Sequence, residues 1–206
     1  FAAIPLLAVC VAWLVPERSL VSVFSDRDTR SVALRYGANG LFLFNPGISG
    51  SKLANAALHY GFREAEGVFV STLSRRDWSG LEELAGLIRI KRVLVPYGPL
   101  HPELSGALER MAADGAVVGR VWPGDSVSLG GLEVRPDWCG SGSARFKAYA
   151  GYSGRGRREG LDWQVKTPVF ELSVLNGGAR VSVRGGARVP VRVLENRPGR
   201  AVEMAL

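Results

Sequence analysis

Residues 71–81 read STLSRRDWSGL and join an apolar run, GVFVS (67–71), to an amphipathic one, GLEELAGLIRI, that begins near Gly80. Many hydrolases place metal-binding histidines at such a strand-to-helix junction. Here the junction carries Thr72, Ser74, Arg76 and Asp77. Hydroxyls and one carboxylate are hard oxygen donors, and a zinc-like ion prefers imidazole and thiolate beside them. Arg76 adds a fixed positive charge to the same stretch, which disfavours a cation there. Two further carboxylates, Asp26 and Asp28, alternate on an extended segment and with Asp77 could hold a hard cation such as magnesium, although Arg27 and Arg30 lie between and beside them. His59 and His101 each fall in or at the start of a predicted helix, which suits surface or capping roles. The stretch fits a second chemistry better. Arg75 and Arg76 beside Trp78 combine phosphate-seeking charge with a stacking face. The bland alternative is that Trp78 simply covers the adjacent helix.

The same composition recurs further on. Arg145, Lys147, Arg155, Arg157 and Arg158 interleave with Phe146, Tyr149, Tyr152 and Trp163, a pattern suited to single-stranded nucleic acid. Opposite charges cancel over residues 1–138, so the whole excess of +7 lies in residues 139–206. Such a basic region attracts phosphate backbones or anionic lipid heads, and a solvated arginine-rich surface is the competing reading. The chain contains no GxSxG elbow, P-loop, CxxC or HExxH. Its two cysteines, Cys10 and Cys139, form no disulfide framework.

The elements that must position these residues follow from hydropathy. Phe1 to Val15 carry no charge, and Pro16, Glu17 and Arg18 stop the run. A full span needs about 20 apolar residues, so residues 1–18 read as the end of a transmembrane helix, with a secretory signal or a buried helix as alternatives. Trp13 suits the membrane boundary. Residues 19–206 form the domain. Strands are predicted over 21–25, 31–36 and 41–45, with GANG (37–40) as a hairpin turn. A helix over 51–62 ends at Gly61, and a strand over 67–71, a helix over roughly 79–89 and a strand over 92–97 follow. A helix over 101–115 is capped by Gly115. A strand near AVVGRV leads to a hairpin over 124–136 that turns at Gly130 and Gly131. Residues 139–167 read as a long basic Gly/Arg-rich loop. Strands resume over 169–175, 179–184 and 188–194, the first two joined by Asn176, Gly177 and Gly178. Hydrophobic residues make up 47% of the chain, enough for one folded core. Hairpins flanking a region of alternating strands and helices imply an α/β sandwich with a mixed sheet.

This order of elements and motifs resembles the metallo-β-lactamase-like domain that follows the membrane channel in ComEC-type competence proteins. NPGISG after LFLFN is similar to that family's "LLIDTG" turn, and STLSRRDWSGL to its "LSHPHADHIGGL". VLVPYGP, a helix and then GDSVSLGGLEV match the order of "VLVP…GD.L.LGG..V". The likeness covers roughly residues 5–187. It implies a metallo-β-lactamase-like fold, and a family site that holds zinc or manganese through HxHxDH. Alignment puts Thr72 and Ser74 at the first two histidines, Arg76 at the aspartate and Asp77 at the last histidine. Asn45 stands for the aspartate of "LLIDTG", and Gly186 for the metal-bridging aspartate of "LLTGD". The "HHGS" half of the family site has no counterpart before Leu206, which leaves a truncated domain open.

The implied function is a non-catalytic module of a DNA-uptake protein without a resident metal. The rest of the channel would lie upstream. The domain would sit on the outer face of the inner membrane and contact DNA, and no small-molecule substrate is expected. Two rivals stand beside it: a metal-dependent phosphodiesterase or nuclease using Asp26, Asp28 and Asp77, and a purely structural membrane-associated domain.

Overall fold

A computed structural model describes residues 20–26, 29–37, 40–129, 132–139, 160–166, 170–175, 178–183 and 202–205 of the 206-residue chain. Three strands open the fold: β1 (Leu20–Asp26), β2 (Thr29–Tyr36) and β3 (Gly40–Phe44). They pair antiparallel in sequence, and the β2–β3 turn begins at Gly37, whose φ of 64° suits glycine. Helix α1 (Gly50–His59) follows, and the chain leaves it through Gly61 at φ 82°. Beyond it come β4 (Glu64–Ala65), β5 (Gly67–Phe69), two short helices α2 (Arg75–Trp78) and α3 (Leu81–Ala85), β6 (Arg89–Ile90) and β7 (Arg92–Pro96). Helix α4 (Pro102–Ala113) then leads into β8 (Val117–Val121).

The predicted helix over 79–89 is therefore shorter than its hydropathy suggested. Gly86 follows α3 directly, and residues 89–90 instead pair parallel with β4. The other middle elements fall where the pattern put them. His101 is the N-cap of α4, with its Nδ1 accepting from Glu103 N at 3.3 Å, the capping role expected of it. His59 is an exposed residue in the last turn of α1.

The second half builds another sheet from β9 (Val127–Leu129), β10 (Leu132–Cys139), β11 (Gly160–Lys166), β12 (Phe170–Leu175) and β13 (Gly178–Val183). The strands expected on either side of Gly130–Gly131 and of Asn176–Gly178 pair antiparallel, β9 with β10 and β12 with β13. Residues 160–166, read from the sequence as the end of a long loop, form the central strand β11. Leu161, Trp163 and Val165 are wholly buried at every second position, a strand signal masked by the Gly- and Arg-rich residues before it. Strand β14 (Val202–Ala205) pairs antiparallel with β1 and has no counterpart among the predicted elements.

The first sheet runs β14-β1-β2-β3-β5-β7-β8, and the second β13-β12-β11-β10-β9. Strands β3, β5, β7 and β8 are mutually parallel, with helices between them as crossovers. Their side chains alternate between two cores. Leu41, Leu43, Val68, Val70, Val93 and Val95 face the helices with Leu53, Leu81, Leu84, Leu104 and Met111. Phe42, Phe44, Phe69, Leu94 and Val121 face the second sheet, where they meet Leu132, Val134, Trp163, Val165 and Leu172. Phe69 lies at the centre of this inter-sheet core, its ring 4.7 Å from Phe44 and 5.0 Å from Trp163. Strands buried on both faces explain why these runs are continuously apolar.

No helix among the described residues is long and apolar enough to cross a membrane. The expected membrane segment, residues 1–18, lies outside the described residues, as do the strand over 188–194 and most of the basic loop.

Candidate functional site

The carboxyl ends of β3, β5, β7 and β8 all open toward one edge of the first sheet, the place where open parallel sheets bind ligands. Two turns meet there. One follows β3 and carries Asn45, Pro46 and Gly47; the other follows β5 and runs from Ser71 to Gly80.

Asn45 is buried, 7% exposed, and adopts φ 53°, a left-handed conformation that asparagine tolerates better than other non-glycine residues. Its backbone N donates to Phe69 O at 2.8 Å, and its Oδ1 accepts from Ser71 N at 2.7 Å. Its carbonyl accepts from Ser31 Oγ at 2.5 Å. Asn45 thus prolongs the β3–β5 ladder by two bonds beyond the strand ends. In doing so it commits its side-chain oxygen to the backbone.

Thr72 and Asp77 are likewise committed to each other. Thr72 Oγ1 donates to Asp77 Oδ2 at 2.7 Å and accepts from Ser74 N at 3.1 Å, with both residues buried. Asp77 N donates to Ser74 O at 3.0 Å, closing the first turn of α2. Ser74 is an exposed N-cap without a side-chain capping bond.

The two turns touch backbone to backbone. A Cβ on Gly47 would fall 1.4 Å from Arg76 O, and one on Gly80 would fall 1.9 Å from Ile48 O. Gly80 N donates to Pro46 O at 2.8 Å, and Ser79 Oγ to Gly47 O at 2.8 Å. Glu83 completes the clamp from α3. Its carboxylate reaches the start of α1 and accepts from Ser51, from Gly50 N and from Ser49 Oγ, the last at 3.2 Å. Those bonds, led by the Ser51 hydroxyl, hold Glu83 below the ordinary glutamate range. Glu83 therefore caps α1 in place of Ser49, whose own side chain makes no capping bond to that helix. Sequence reading missed it because the cap comes from another element.

Arg75 and Arg76 are exposed on α2, and Arg75 Nη2 lies 3.3 Å from Glu103 Oε2. Trp78 corrects its expected role. Its ring is only 5% exposed among the residues under the sheet, its Nε1 donates to Leu73 O at 3.1 Å, and it lies 6.0 Å from the His101 ring. The stacking face expected of Trp78 is turned into the helix-side core, where the Nε1 bond to Leu73 O fixes the ring. Trp163, expected in the basic loop, is likewise a fully buried core residue. Arg145, Lys147, Arg155, Arg157, Arg158 and Gly186 lie outside the described residues, as does Asp28.

Two exposed aromatic residues at the same edge escaped sequence reading. Tyr97 follows β7 and Trp122 follows β8, and their rings stack at 4.5 Å and 19°. Arg120 lies over Tyr97 at 5.4 Å from the ring centre and donates to Gly98 O.

Solved structures share this architecture. CmlA, a diiron beta-hydroxylase from Streptomyces venezuelae, matches with TM-score 0.50 and 18% identity over 79% of this chain and 30% of that protein. A metallo-beta-lactamase from Cronobacter sakazakii, a HARLDQ motif mutant, matches with TM-score 0.46 and 15% identity over 83% of this chain and 64% of that one. The two packed sheets, with crossover helices on the outer side of the first, give the metallo-β-lactamase-like fold expected from the sequence. A diphosphatase from the PhnP family matches with TM-score 0.47 and 13% identity over 72% of this chain and 62% of that one. The chain therefore spans less than two thirds of each of these proteins, and at such identities the likeness is one of fold. No family model matches the sequence, and the search of curated proteins found no relative.

Within the metallo-β-lactamase-like fold, the donors present at the junction do not fit a two-metal site. Thr72 and Asp77 are bonded to each other, Asn45 Oδ1 is held by Ser71 N, and Arg76, an exposed cation, precedes Asp77 in the same turn. Neutral imidazole, the ligand zinc accepts most readily, is missing from this turn.

Proposed function

We propose that this chain is a non-catalytic metallo-β-lactamase-like module of a ComEC-type DNA-uptake protein, which contacts DNA through its basic segments. The observation that carries the reading is the Thr72–Asp77 hydrogen bond at 2.7 Å. Where a hydrolase of this fold would spend ligands on cations, this chain spends them on its own backbone and side chains. A turn organised in this way keeps its shape without activating water. The exposed Arg75 and Arg76 at the strand end and the excess of +7 over residues 139–206 support an anionic partner. The inner membrane, with the domain on its outer face and residues 1–18 as its attachment, is the location that goes with this role.

Binding of a labelled single-stranded oligonucleotide tests the proposal. The expected affinity falls steeply between low and physiological salt, and falls again when Arg155, Arg157 and Arg158 are changed to Ala. No detectable binding at low salt would sink the DNA-contacting role and leave a structural module. Nuclease activity in manganese that disappears in Asp77→Ala would sink the non-catalytic reading.

A further inference from the structure

Tyr97 and Trp122 are both large aromatics left substantially in solvent, 47% and 36% exposed. Burying an aromatic ring is strongly favourable, so two such rings stacked on each other at a sheet edge call for an explanation. Their position gives one. Pro96 pairs with Val121 and Tyr97 N donates to Val121 O, so Tyr97 and Trp122 come next in register as β7 and β8 run out. Strand β5 ends beside β7, and its continuation leads into the turn that carries Arg75 and Arg76. Two strand spacings, roughly 10 Å, separate β5 from β8. The stacked rings therefore occupy the same edge as the turn at 71–80, on the side away from Asn45.

The surroundings select the ligand. Arg120 adds a guanidinium against the Tyr97 ring and uses one of its five N–H groups on Gly98 O. The nearby carboxylate, Asp125, accepts from Trp122 N at 2.7 Å and so helps to hold the platform in place. Arg120 over one ring of an exposed stacked pair, at the same sheet edge as the turn that carries Arg75 and Arg76, suits a ligand that alternates flat faces with negative charge. Single-stranded nucleic acid is that ligand: its unpaired bases stack on aromatic side chains without regard to sequence, and its phosphates meet the guanidinium groups. A duplex hides its base faces and would leave the rings unused.

We propose that Tyr97 and Trp122, flanked by Arg120, form a base-stacking platform for single-stranded nucleic acid at the carboxyl edge of the parallel strands. This rests on the nucleic-acid reading above and assigns it a place within the described fold. Charge and stacking act through different groups in this arrangement. The basic residues fix the backbone, and the two rings recognise that a base is present and unpaired.

The test compares the full chain with Tyr97→Ala/Trp122→Ala and with Trp122→Leu. Fluorescence anisotropy is measured with an oligothymidylate of about a dozen nucleotides and with an abasic strand of equal length. The platform predicts that the wild type binds the base-bearing strand more tightly than the abasic one. The double variant should lose roughly tenfold to a hundredfold for oligothymidylate and keep its affinity for the abasic strand. Trp122→Leu, which keeps apolar bulk, should lose a smaller part of the same preference, and circular dichroism checks that each variant is folded. Equal binding of oligothymidylate by folded wild type and folded double variant overturns the platform and leaves the nucleic-acid reading intact. Absence of binding by the wild type removes that reading, and the platform with it. Ring-dependent retention on a neutral glucan or a proline-rich peptide, without a preference for base-bearing DNA, also overturns the platform.

Discussion

Asp77 shows how one residue changes meaning with its neighbours. On the sequence it is an acid at a motif position, open to a cation. In the fold it is 7% exposed and accepts the Thr72 hydroxyl. Thr72→Val keeps the shape and removes the donor. It is expected to destabilise the protein by about 1–3 kcal/mol in denaturant unfolding, with Thr72→Ser much closer to wild type. An unchanged stability in Thr72→Val would mean that this bond does not hold the turn. Glu83 makes a prediction in pH. Its folded pKa lies below the ordinary value of 4.5, so its contribution is complete above that value and is lost as pH falls through the folded pKa. The melting temperature of Glu83→Gln should therefore lie below wild type at neutral pH, and the gap should close as the pH drops beneath 4.5. A gap that persists in strong acid would assign the effect to packing.

At the scale of elements, the site is a contact between two turns, and glycine sets its distance. Gly47→Ala would drive a Cβ into Arg76 O, which is backbone and has nowhere to go. The expected cost is at or above the upper end of the ~1–3 kcal/mol typical of overpacking. Gly106, inside α4, is the control: its Cβ would meet only the flexible end of Arg110 at 3.4 Å. Gly106→Ala should stabilise by about 0.5–1 kcal/mol because it removes backbone freedom from a helix interior. Thermal melts of the two variants should move in opposite directions. These elements were unevenly legible. The hairpins and the parallel strands could be read, because glycine turns and doubly apolar runs are local signals. Strand β11 could not, because Leu161, Trp163 and Val165 alternate over only a few residues at the end of a polar, glycine-rich stretch. The breakup of the predicted helix after Ala85 was hidden too, since the pairing of Arg89–Ile90 with β4 is a contact distant in sequence.

For the whole molecule, the expectation concerns metal. A chain whose junction donors are bonded to one another should gain little from a cation, since no preformed ligand cluster exists among the described residues. Added zinc or manganese at micromolar to millimolar concentration should leave the melting temperature unchanged, and a chelator should leave the native protein unaffected. A clear rise in melting temperature with stoichiometric zinc, abolished in Asp77→Ala, would reverse the assignment of this junction.

Residue types alone determined that the junction at 71–81 lacks the imidazoles of a zinc centre, that hydrophobic strands and helices alternate through the middle of the chain, and that positive charge collects toward its end. These are properties of composition and short-range period, written into neighbouring positions. Tertiary structure alone decided that Trp78 and Trp163 are buried while Tyr97 and Trp122 stand exposed, and that Asn45 and Glu83 spend their side chains on holding two turns together. Which face of a ring meets water depends on what a strand or helix far along the chain packs against it, and no local pattern encodes that.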